Sequence, residues 1–447
     1  MPYTEMGNTE VKLSLIAKHA SRNKTMQFTS LAHLLDVDFL KWCFFNLKRN
    51  KAKGHDNVGW YDYVERVDEN IEALVERLKR KSFSPIPARR VYIPKGDGKF
   101  RPLGISAMEN KIVEKALATI LGAIYEQDFL DNSYGFRPHR NCHQALKELN
   151  DLIMFKPVNH IVEADIKGFF DNVDRDLLLD ALKIRIKDST ILSLITKFLK
   201  AGYIDDRLIV RSDTGTPQGS ILSPLLANVF LHYILDVWFE QTVKQHVKGF
   251  CEIVRYADDF VCVVQYAEDA KQIEKALENR FNRYKLEIHP EKSRRFTFGR
   301  YEKKNADQQD RKANTFDFLG FTHFCDKTRQ GRYKLGRKTA RKKFIPKAKE
   351  MNKWLKDNRN LTKTKDWWKI LKAKMRGHFQ YYGVSGNYQS IDAFYSSTIK
   401  MVHKWLNRRS QKRKMSWIKF NEYLEHYPLP KPSIKHNFYT GYPSSVR

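Results

Sequence analysis

The spacing of apolar residues along the chain predicts a mixture of helices and strands. Apolar side chains that recur every three or four positions are typical of helices with one buried face. They fill residues 27–50, 66–81, 108–128, 141–155, 174–187, 190–201, 224–238 and 267–283. Short β-branched and aromatic runs indicate strands, and they cover residues 89–105, 161–170, 252–264, 286–288, 295–298 and 316–321. This mixed order predicts an α+β fold.

Two of the strand segments have the form of a hairpin. In residues 89–105 the dipeptide Asp97-Gly98 separates two extended runs, and Asp-Gly favours a tight turn. In residues 252–264 the apolar run is broken by Asp258 and Asp259. Neighbouring carboxylates repel each other and need a cation, and Mg²⁺ is the usual partner of hard oxygen ligands. The second hairpin is therefore the strongest indication of chemistry in the chain.

A third carboxylate, Asp165, ends the strand predicted at residues 161–170. By itself a strand-end aspartate is more often a turn cap than a ligand. If this strand neighbours the Asp258-Asp259 hairpin, three carboxylates converge. Three such ligands suit two divalent cations that clamp the oxygens of a phosphoryl transfer.

The pattern changes after Asp326. Helical segments follow at residues 337–357, 365–377, 387–409 and 416–425, and the proline-rich tail from Tyr427 onward is expected to be extended. From Lys327 onward there are 31 Lys and Arg against 6 Asp and Glu, which accounts for 25 of the 30 net positive charges. Such one-sided charge favours a nucleic acid partner, although a solvated surface that aids solubility is the alternative. We place a domain boundary near residues 326–336.

Other bulk features narrow the class of protein. The five cysteines are scattered without a C-x-x-C pair, which argues against a zinc module and favours a reducing compartment. No apolar stretch approaches the length of a membrane-spanning helix. We therefore expect a cytoplasmic protein with no membrane partner.

Several short phrases recur in a recognisable order, among them Arg255-Tyr-Ala-Asp-Asp-Phe260 and Thr216-Pro-Gln-Gly219. The full set is residues 92–105, 132–140, 164–171, 215–228, 255–260, 286–293 and 318–321. This order resembles the polymerase blocks of reverse transcriptases, in particular the group II intron-encoded reverse transcriptase/maturase family. The likeness covers roughly residues 27–325, and residues 375–383 resemble the thumb of the same family less specifically.

The resemblance implies a right-hand polymerase: fingers, a palm whose antiparallel sheet carries the catalytic aspartates, and an α-helical thumb. The implied division is residues 1–110 for an N-terminal extension and part of the fingers, and 111–325 for the remaining fingers and the palm. The thumb, or maturase domain, would occupy residues 326–410, and a short basic extension residues 411–447. The implied location is a prokaryotic cytosol or a nucleoid-associated ribonucleoprotein.

The same resemblance assigns the chemistry of the three carboxylates. Asp165, Asp258 and Asp259 would be the catalytic metal ligands, and the carbonyl of Ile166 would be an additional ligand. The cofactor would be two Mg²⁺ ions, for which Mn²⁺ can substitute.

Four residues resemble the nucleotide-binding set. Phe170 would be the aromatic gate that collides with a ribose 2′-hydroxyl, and its alternative is a core aromatic. Lys95 and Arg101 would hold the triphosphate, a task that suits cations; their alternative is an exposed strand cation. Gln218 would lie against the nucleotide and template. The alternative is that the turn around it only leads into the following helix.

The resemblance also suggests contacts with template and primer. In residues 132–140, Arg137 and Arg140 would contact phosphates. Tyr134, in the same template- and primer-binding loop, or Phe136 would pack beneath them. A purely structural loop is the alternative. Tyr256 would contact the primer end, with packing as its competing role.

The densest basic run lies after the last long predicted helix, and a solvated face is its ordinary interpretation. The charge asymmetry favours nucleic acid binding by Arg408, Arg409, Lys412, Arg413 and Lys414. Phosphate contacts of this kind supply affinity without sequence information.

The activity implied is RNA-directed DNA polymerisation. Its partners would be an RNA template, a DNA primer or RNA–DNA hybrid, dNTPs, and an intron RNA bound for splicing and intron mobility. One alternative is a reverse transcriptase of the same fold recruited to phage defence, a CRISPR locus or DNA repair. The other is a non-catalytic RNA-binding splicing factor, against which the intact set of three aspartates argues.

Overall fold

The computed structural model describes residues 6–94, 100–205, 208–210, 214–361, 363–409 and 414–439. Among the candidate site residues, Lys95, Lys412 and Arg413 lie outside these ranges.

The helices of residues 6–246 alternate with strands along the chain. They are α1 (Met6–Arg22), a 3₁₀ turn (Ala32–Leu34), α2 (Val37–Phe45), α3 (Trp60–Val64), α4 (Val67–Lys79), α5 (Met108–Tyr125), α6 (Cys142–Phe155), α7 (Phe169–Asn172), α8 (Arg175–Lys183) and α9 (Ser189–Lys200). A long helical stretch follows as α10 (Ser223–Leu231), two π-helical segments (His232–Asp236 and Phe239–Val243) and α11 (Lys244–His246). The later helices are α12 (Ala267–Arg283), α13 (Glu302–Gln308), α14 (Arg341–Asn358), α15 (Thr364–Tyr382), α16 (Tyr388–Leu406) and α17 (Trp417–His426).

The strands form three sheets. They are β1 (Ala88–Pro94), β2 (Phe100–Ile105), β3 (His160–Asp165), β4 (Tyr203–Asp205), β5 (Leu208–Val210), β6 (Cys251–Tyr256), β7 (Asp259–Val264), β8 (Arg294–Thr297), β9 (Thr315–Phe318), β10 (Phe321–Lys327) and β11 (Tyr333–Thr339). The sheet orders are β2-β1-β4-β5, β6-β7-β3-β8 and β11-β10-β9. Helices mixed with largely antiparallel sheets confirm the α+β prediction.

The central sheet, β6-β7-β3-β8, is antiparallel throughout. Five consecutive residues of β7 are buried, which suits a β-branched strand covered on both faces. Helix α12 packs against β3, β7 and β8, and α6 packs against β6. The predicted hairpin at residues 252–264 and the helix at 267–283 are both confirmed.

The first sheet contains the other predicted hairpin. Strands β1 and β2 pair antiparallel from Arg89 opposite Ile105 to Pro94 opposite Phe100. The Asp97-Gly98 turn itself lies outside the described residues. The short strands β4 and β5 extend the sheet, with β4 parallel to β1.

The third sheet departs from the predicted pattern. Residues 333–339 are strand β11, so the helix predicted over 337–357 begins only at Arg341. The single strand predicted at 316–321 is two strands, β9 and β10, joined by a turn in which Leu319 and Gly320 have positive φ. Residues 286–288 form no strand, although Ile288 makes an isolated bridge to Ile166. The predicted boundary near 326–336 falls inside this sheet, and the four-part domain division stays a prediction.

The helical part after β11 has its own hydrophobic core. Trp367, Trp368 and Trp405 are buried there together with Leu371 and Met375. These tryptophans pack between helices, and the predicted helices at 365–377, 387–409 and 416–425 are confirmed as α15, α16 and α17.

The tail after α17 returns to the centre of the molecule as an extended segment. The backbone N–H of Ser385 donates to the carbonyl of His436 at 3.1 Å, and the ring of His436 stacks on His143 of α6 with centroids 3.6 Å apart. Phe438 is buried beneath the guanidinium of Arg337, which lies 4.9 Å from its ring centre. The tail thus joins α6, β11 and the end of α15. Among the described residues no helix is long and apolar enough to cross a membrane.

A fully buried ion pair fixes the end of the central sheet. The guanidinium of Arg255 on β6 donates two hydrogen bonds to the carboxylate of Asp236, and both side chains are inaccessible to solvent. Arg255 also donates to the side chain of Asn228 at 3.1 Å and to the carbonyl of Ala257 at 2.9 Å. The pair therefore ties the long helix from α10 to the turn between β6 and β7.

Removing one partner of this pair tests its contribution. Arg255→Met should lower the free energy of unfolding by about 3–5 kcal/mol, because Asp236 is left buried without a counter-charge. The double variant Arg255→Met/Asp236→Leu should recover part of the loss. Urea unfolding measures both, with the exposed Arg283→Met as a control expected within about 0.5 kcal/mol of the parent. A single variant as stable as that control would contradict this role.

Candidate active site

The three predicted carboxylates meet at one end of the central sheet. Asp165 is the last residue of β3 and pairs directly with Asp259, the first residue of β7. Directly opposed residues of antiparallel strands have Cβ atoms about 4.5–5.5 Å apart. Asp258 lies in the two-residue turn just before Asp259, after Ala257 with a φ of 57°. Strand pairing therefore gathers the carboxylates from distant parts of the sequence.

The turn that carries Asp258 is held from two sides. Arg255 binds the Ala257 carbonyl from below, as described above. On the other side the loop before α6 approaches so closely that a Cβ on Gly135 would lie 2.3 Å from the backbone nitrogen of Ala257. Only glycine allows that approach. The N–H of Tyr134 donates to the Arg255 carbonyl at 2.9 Å, which fixes the loop against β6.

The three negatively charged carboxylates lie close together and repel one another. Burial raises the pKa of Asp258, and the Asp165 carboxylate raises it further, while the cations of Arg101 and Arg255 oppose the shift. Burial, followed by repulsion from Asp258 and Asp165, raises the pKa of Asp259 to about 7. The carboxylate of Asp259 is reached by solvent but has protein around it on most sides.

The segment between α12 and β8 closes over Asp165. The backbone N–H of His289 donates to the Asp165 carbonyl at 2.8 Å, and the N–H of Asp165 donates to Ser293 Oγ at 3.1 Å. The ammonium of Lys292 lies 2.6 Å from an Asp165 carboxylate oxygen. Lys292 and Ser293 belong to a phrase of the predicted motif set, but the resemblance assigned them no role.

The donor atoms fit a hard divalent cation in kind and in charge. Three carboxylates supply oxygen ligands. The raised pKa values of Asp258 and Asp259 indicate negative charge that lacks full compensation. Within the described ranges, no three His, Cys, Asp or Glu side chains are placed so that they could hold a metal ion together, and the carboxylate of Asp165 is paired with Lys292. Asp165 can bind a metal ion only if its carboxylate binds the ion and Lys292 at the same time, or if the ion pair with Lys292 breaks.

The predicted backbone ligand has a suitable orientation. The N–H of Lys167 donates to the Glu287 carbonyl at 2.9 Å, and the N–H of His289 to Asp165. In an antiparallel pair, adjacent residues point their backbone polar groups to opposite sides. The carbonyl of Ile166 therefore faces the β7 side, where Asp258 and Asp259 lie.

Phe170 and Gln218 are brought together by the turn before α10. The N–H of Thr216 donates to the Phe170 carbonyl at 2.7 Å, and the side-chain amide of Gln218 donates to the Asp171 carboxylate at 3.0 Å. The ring of Phe170 is half-buried and packs against the main core. Gly219, with a φ of 105°, would place a Cβ 2.4 Å from the Gly104 carbonyl of β2. The turn thus joins α7 to the first sheet.

Of the two predicted triphosphate ligands, only Arg101 is described. It is exposed on β2 opposite Ile93, and its charge lowers the pKa of Asp258. That influence places the guanidinium within electrostatic range of the carboxylates. The role predicted for Arg101 stays a prediction.

The loop before α6 corrects part of the template prediction. Arg137 is buried, and it donates to Glu126 at 3.0 Å and to the carbonyls of Leu130 and Ser133. The prediction that Arg137 contacts phosphates is therefore wrong, because its charge and donors are used inside the protein.

The other residues of the template and primer set differ in exposure. Tyr134 is buried beneath the guanidinium of Arg140, 5.3 Å from its ring centre. This is the packing predicted for Tyr134, and the template- and primer-binding role of its loop stays a prediction. Arg140 pairs with the exposed Asp131, and Tyr256 is half-buried opposite Asp259. Both stay predictions.

The basic residues after α16 are described only in part. Arg408 is exposed beside Trp405, with its guanidinium 5.3 Å from a ring centre, and Lys414 is exposed. Arg409 is half-buried, and among the described residues its Nη1 atom has no hydrogen-bond partner. A role in nucleic acid binding stays a prediction for all three.

An antiparallel sheet with three carboxylates at one end is typical of the palm of a reverse transcriptase. The family model described as "Reverse transcriptase (RNA-dependent DNA polymerase)" matches residues 93–323. The chain is 41% identical over 231 residues to the group II intron-encoded protein LtrA of Lactococcus lactis subsp. cremoris. This alignment covers 51% of the chain and 38% of LtrA.

Two further relatives show the same likeness. Protein YkfC of Escherichia coli K12 is 34% identical over 244 residues, covering 47% of the chain and 63% of YkfC. The mitochondrial nuclear intron maturase 1 of Arabidopsis thaliana is 30% identical over 103 residues, covering 23% of the chain and 14% of that protein. The matches thus span less than two thirds of each relative.

The chain belongs to the reverse transcriptase family. Within that family it is similar to group II intron-encoded proteins and intron maturases. A right-hand polymerase fold follows from this membership, and divalent metal ions are the general cofactors of the family.

Repulsion among the carboxylates predicts that ionised Asp259 lowers the stability of the folded protein. The pKa of Asp259 is about 7 in the folded protein against an ordinary value of 3.8, so between about pH 4 and pH 7 the folded state binds more protons. Stability contributed by this group therefore falls as the pH rises through that window. Without divalent ions, Asp259→Asn should raise the melting temperature at pH 8.

The same comparison at pH 4 should show little difference, because the carboxyl is then protonated in the folded state. Thermal scans in EDTA at both pH values measure the effect, with the exposed Asp307→Asn as the matched control. Equal melting temperatures for Asp259→Asn and Asp307→Asn at pH 8 would contradict the inference that repulsion at Asp259 lowers stability.

Proposed function

We propose that the protein is an RNA-directed DNA polymerase that adds dNTPs to a primer on an RNA template. The observation that carries this proposal is the direct pairing of Asp165 with Asp259 beside Asp258. This arrangement gathers carboxylates whose charge the protein compensates only in part, in agreement with the raised pKa of Asp259. The polymerising role and the metal site thus depend on the same strand register.

The carboxylates are the proposed metal ligands. Asp165, Asp258 and Asp259, with the Ile166 carbonyl, would hold two Mg²⁺ ions, for which Mn²⁺ can substitute. When bound, such ions lower the pKa of the attacking hydroxyl and stabilise charge on the departing pyrophosphate.

The remaining site residues orient the nucleotide. Arg101, and Lys95 outside the described ranges, bind the triphosphate through charge-assisted hydrogen bonds. Gln218, held by Asp171, lies against the nucleotide and template. Phe170 excludes a ribose 2′-hydroxyl, and its carbonyl fixes the Gln218 turn through Thr216.

The partners belong to the same proposal. They are an RNA template, a DNA primer or RNA–DNA hybrid, dNTPs and an intron RNA, in a cytoplasmic ribonucleoprotein. Helices α14–α17 supply a basic surface for the backbone of an A-form duplex, which proteins recognise mainly by shape. The relatives named as intron-encoded protein and intron maturase support a role in intron splicing and mobility.

Primer extension tests the polymerase directly. On poly(rA)/oligo(dT) with Mg²⁺, the parent protein should extend the primer, and Asp258→Ala should reduce the rate at least about a hundredfold, because a metal ligand that stabilises transition-state charge is lost. The exposed Asp307→Ala, on α13, should retain the parental rate. No extension by the parent, or full activity of Asp258→Ala, would sink the proposal.

Sugar selection tests the gate. Phe170→Ala should reduce discrimination between dTTP and UTP by about tenfold or more, since each loss of about 1.4 kcal/mol of steric exclusion is a factor of ten. Single-nucleotide incorporation gives the ratio of kcat/KM values. Because the ring also packs against the core, Phe170→Leu serves as the folded control that retains bulk. Unchanged discrimination in Phe170→Ala would leave the ring with a packing role alone.

A further inference from the structure

Helix α5 carries a buried carboxylate among apolar neighbours. Glu114 is 3% exposed, and Ile112, Val113 and Leu117 on the same helix belong to the main hydrophobic core. Burial raises the pKa of Glu114. An ionised group in such surroundings lowers the stability of the fold unless hydrogen bonds compensate it. The hydrogen-bond partners of Glu114 therefore indicate what this carboxylate does.

Glu114 joins the end of β2 to the turn before α10 (residues 214–222). The backbone N–H of Ile221, in that turn, donates to Oε2 of Glu114 at 2.8 Å. The hydroxyl of Ser106, which follows β2, donates to Oε1 at 2.9 Å. The Ile221 N–H and the side chains of Ser106 and Ser220 lower the pKa of Glu114, against the effect of burial. One carboxylate thus bridges two segments that are distant along the chain.

The same turn also contacts β2 directly. The backbone N–H of Gly104 donates to the carbonyl of Gln218 at 2.7 Å. A single hydrogen bond would leave the turn free to tilt about it. The bonds to Gly104 and to Glu114 hold the turn at two separate points, at Gln218 and at Ile221. Together they fix the orientation of the turn as well as its distance from β2.

Both of the segments that Glu114 joins carry residues of the proposed nucleotide site. Arg101 lies on β2, and Gln218 lies in the turn. Under the proposed function these two side chains contact the same dNTP, which requires a fixed distance between their backbones. A shift of about 1 Å in a supporting element is enough to weaken such a contact.

We propose that Glu114 is a positioning residue for the incoming nucleotide. It holds the turn before α10 at the distance from β2 at which Arg101 and Gln218 contact one dNTP. The inference rests on the proposed polymerase function. Glu114 is buried beneath the turn, so it acts through Gln218 and takes no part in bond formation.

Steady-state kinetics separate positioning from stability. On poly(rA)/oligo(dT), Glu114→Leu should raise the KM for dTTP about tenfold and keep kcat within about twofold of the parent, because it weakens nucleotide binding and leaves the carboxylates in place. Loss of folded protein would lower the apparent kcat and leave KM unchanged. An unchanged KM in folded Glu114→Leu would overturn the proposal.

Asp269→Leu is the matched control. Asp269 is 2% exposed and accepts hydrogen bonds from the backbone N–H groups of Lys248 and Gly249 at 3.2 and 2.8 Å. These two residues precede β6, at the end of that strand opposite to the three carboxylates. Asp269→Leu should therefore lower the melting temperature as Glu114→Leu does, and leave the KM for dTTP at the parental value. Equal increases in KM for both variants would contradict a specific role of Glu114.

A conservative variant tests the hydrogen bonds themselves. The amide oxygen of Glu114→Gln can accept from the Ile221 N–H, and its amide nitrogen can donate to the Ser106 hydroxyl oxygen. This variant should bring KM back to within about threefold of the parent. If Glu114→Leu does not fold, Ser106→Ala removes one of the two bonds and should raise KM about threefold. A parental KM in folded Ser106→Ala would then contradict the proposal.

A double variant shows whether Glu114 acts through Gln218. Gln218→Ala alone should raise the KM for dTTP, and adding Glu114→Leu should change it by less than about threefold, because residues that act through one contact are not additive. A full further tenfold increase would place the effect of Glu114 elsewhere and contradict the proposal.

Failure of this inference can be told apart from failure of the proposed function. If the parent protein does not extend a primer, the polymerase proposal fails, and the positioning role falls with it because it has no reaction to serve. If the parent extends the primer and the Glu114 variants keep the parental KM, only the positioning role is wrong.

Discussion

Repulsion among three carboxylates is the constraint around which this structure is organised. The register of β3 on β7 places Asp165 against Asp259, and the turn adds Asp258. Burial in a cleft strengthens the repulsion, because the low local dielectric screens it poorly. The protein alone compensates this charge only in part, through Lys292 and Arg101. The remaining charge is what makes the site suited to divalent cations.

Rigid surroundings keep the carboxylates in place against that repulsion. The buried pair of Arg255 and Asp236 anchors the turn from within the fold. Gly135 brings a loop into contact with the same turn, and the backbone N–H of Leu319 lowers the pKa of Asp259. Each support comes from a different part of the chain. A shift in any one of them would alter the spacing of the ligands.

Sequence patterns predicted the parts of the site that local composition reveals. Asp258 and Asp259 interrupt a β-branched run, so both the hairpin and its unusual charge are visible in the sequence. The residues that hold them are less visible, because their partners are distant along the chain. From the sequence Arg137 is expected to be a surface cation, yet it is buried and pairs with Glu126 and two backbone carbonyls. Residues 337–339 fall in the predicted helix but end strand β11, where the basic Arg337 is buried.

The returning tail has a consequence for the mechanics of the whole molecule. Phe438 and His436 join the helical region to α6 and β11, next to the carbonyl of Tyr381, which binds the ring of His143 at 2.8 Å. The helices are thereby fastened to the central sheet along two separate lengths of chain. A swing of the helical region about a single pivot would break one of these two sets of contacts, so the helical region and the central sheet are expected to move together.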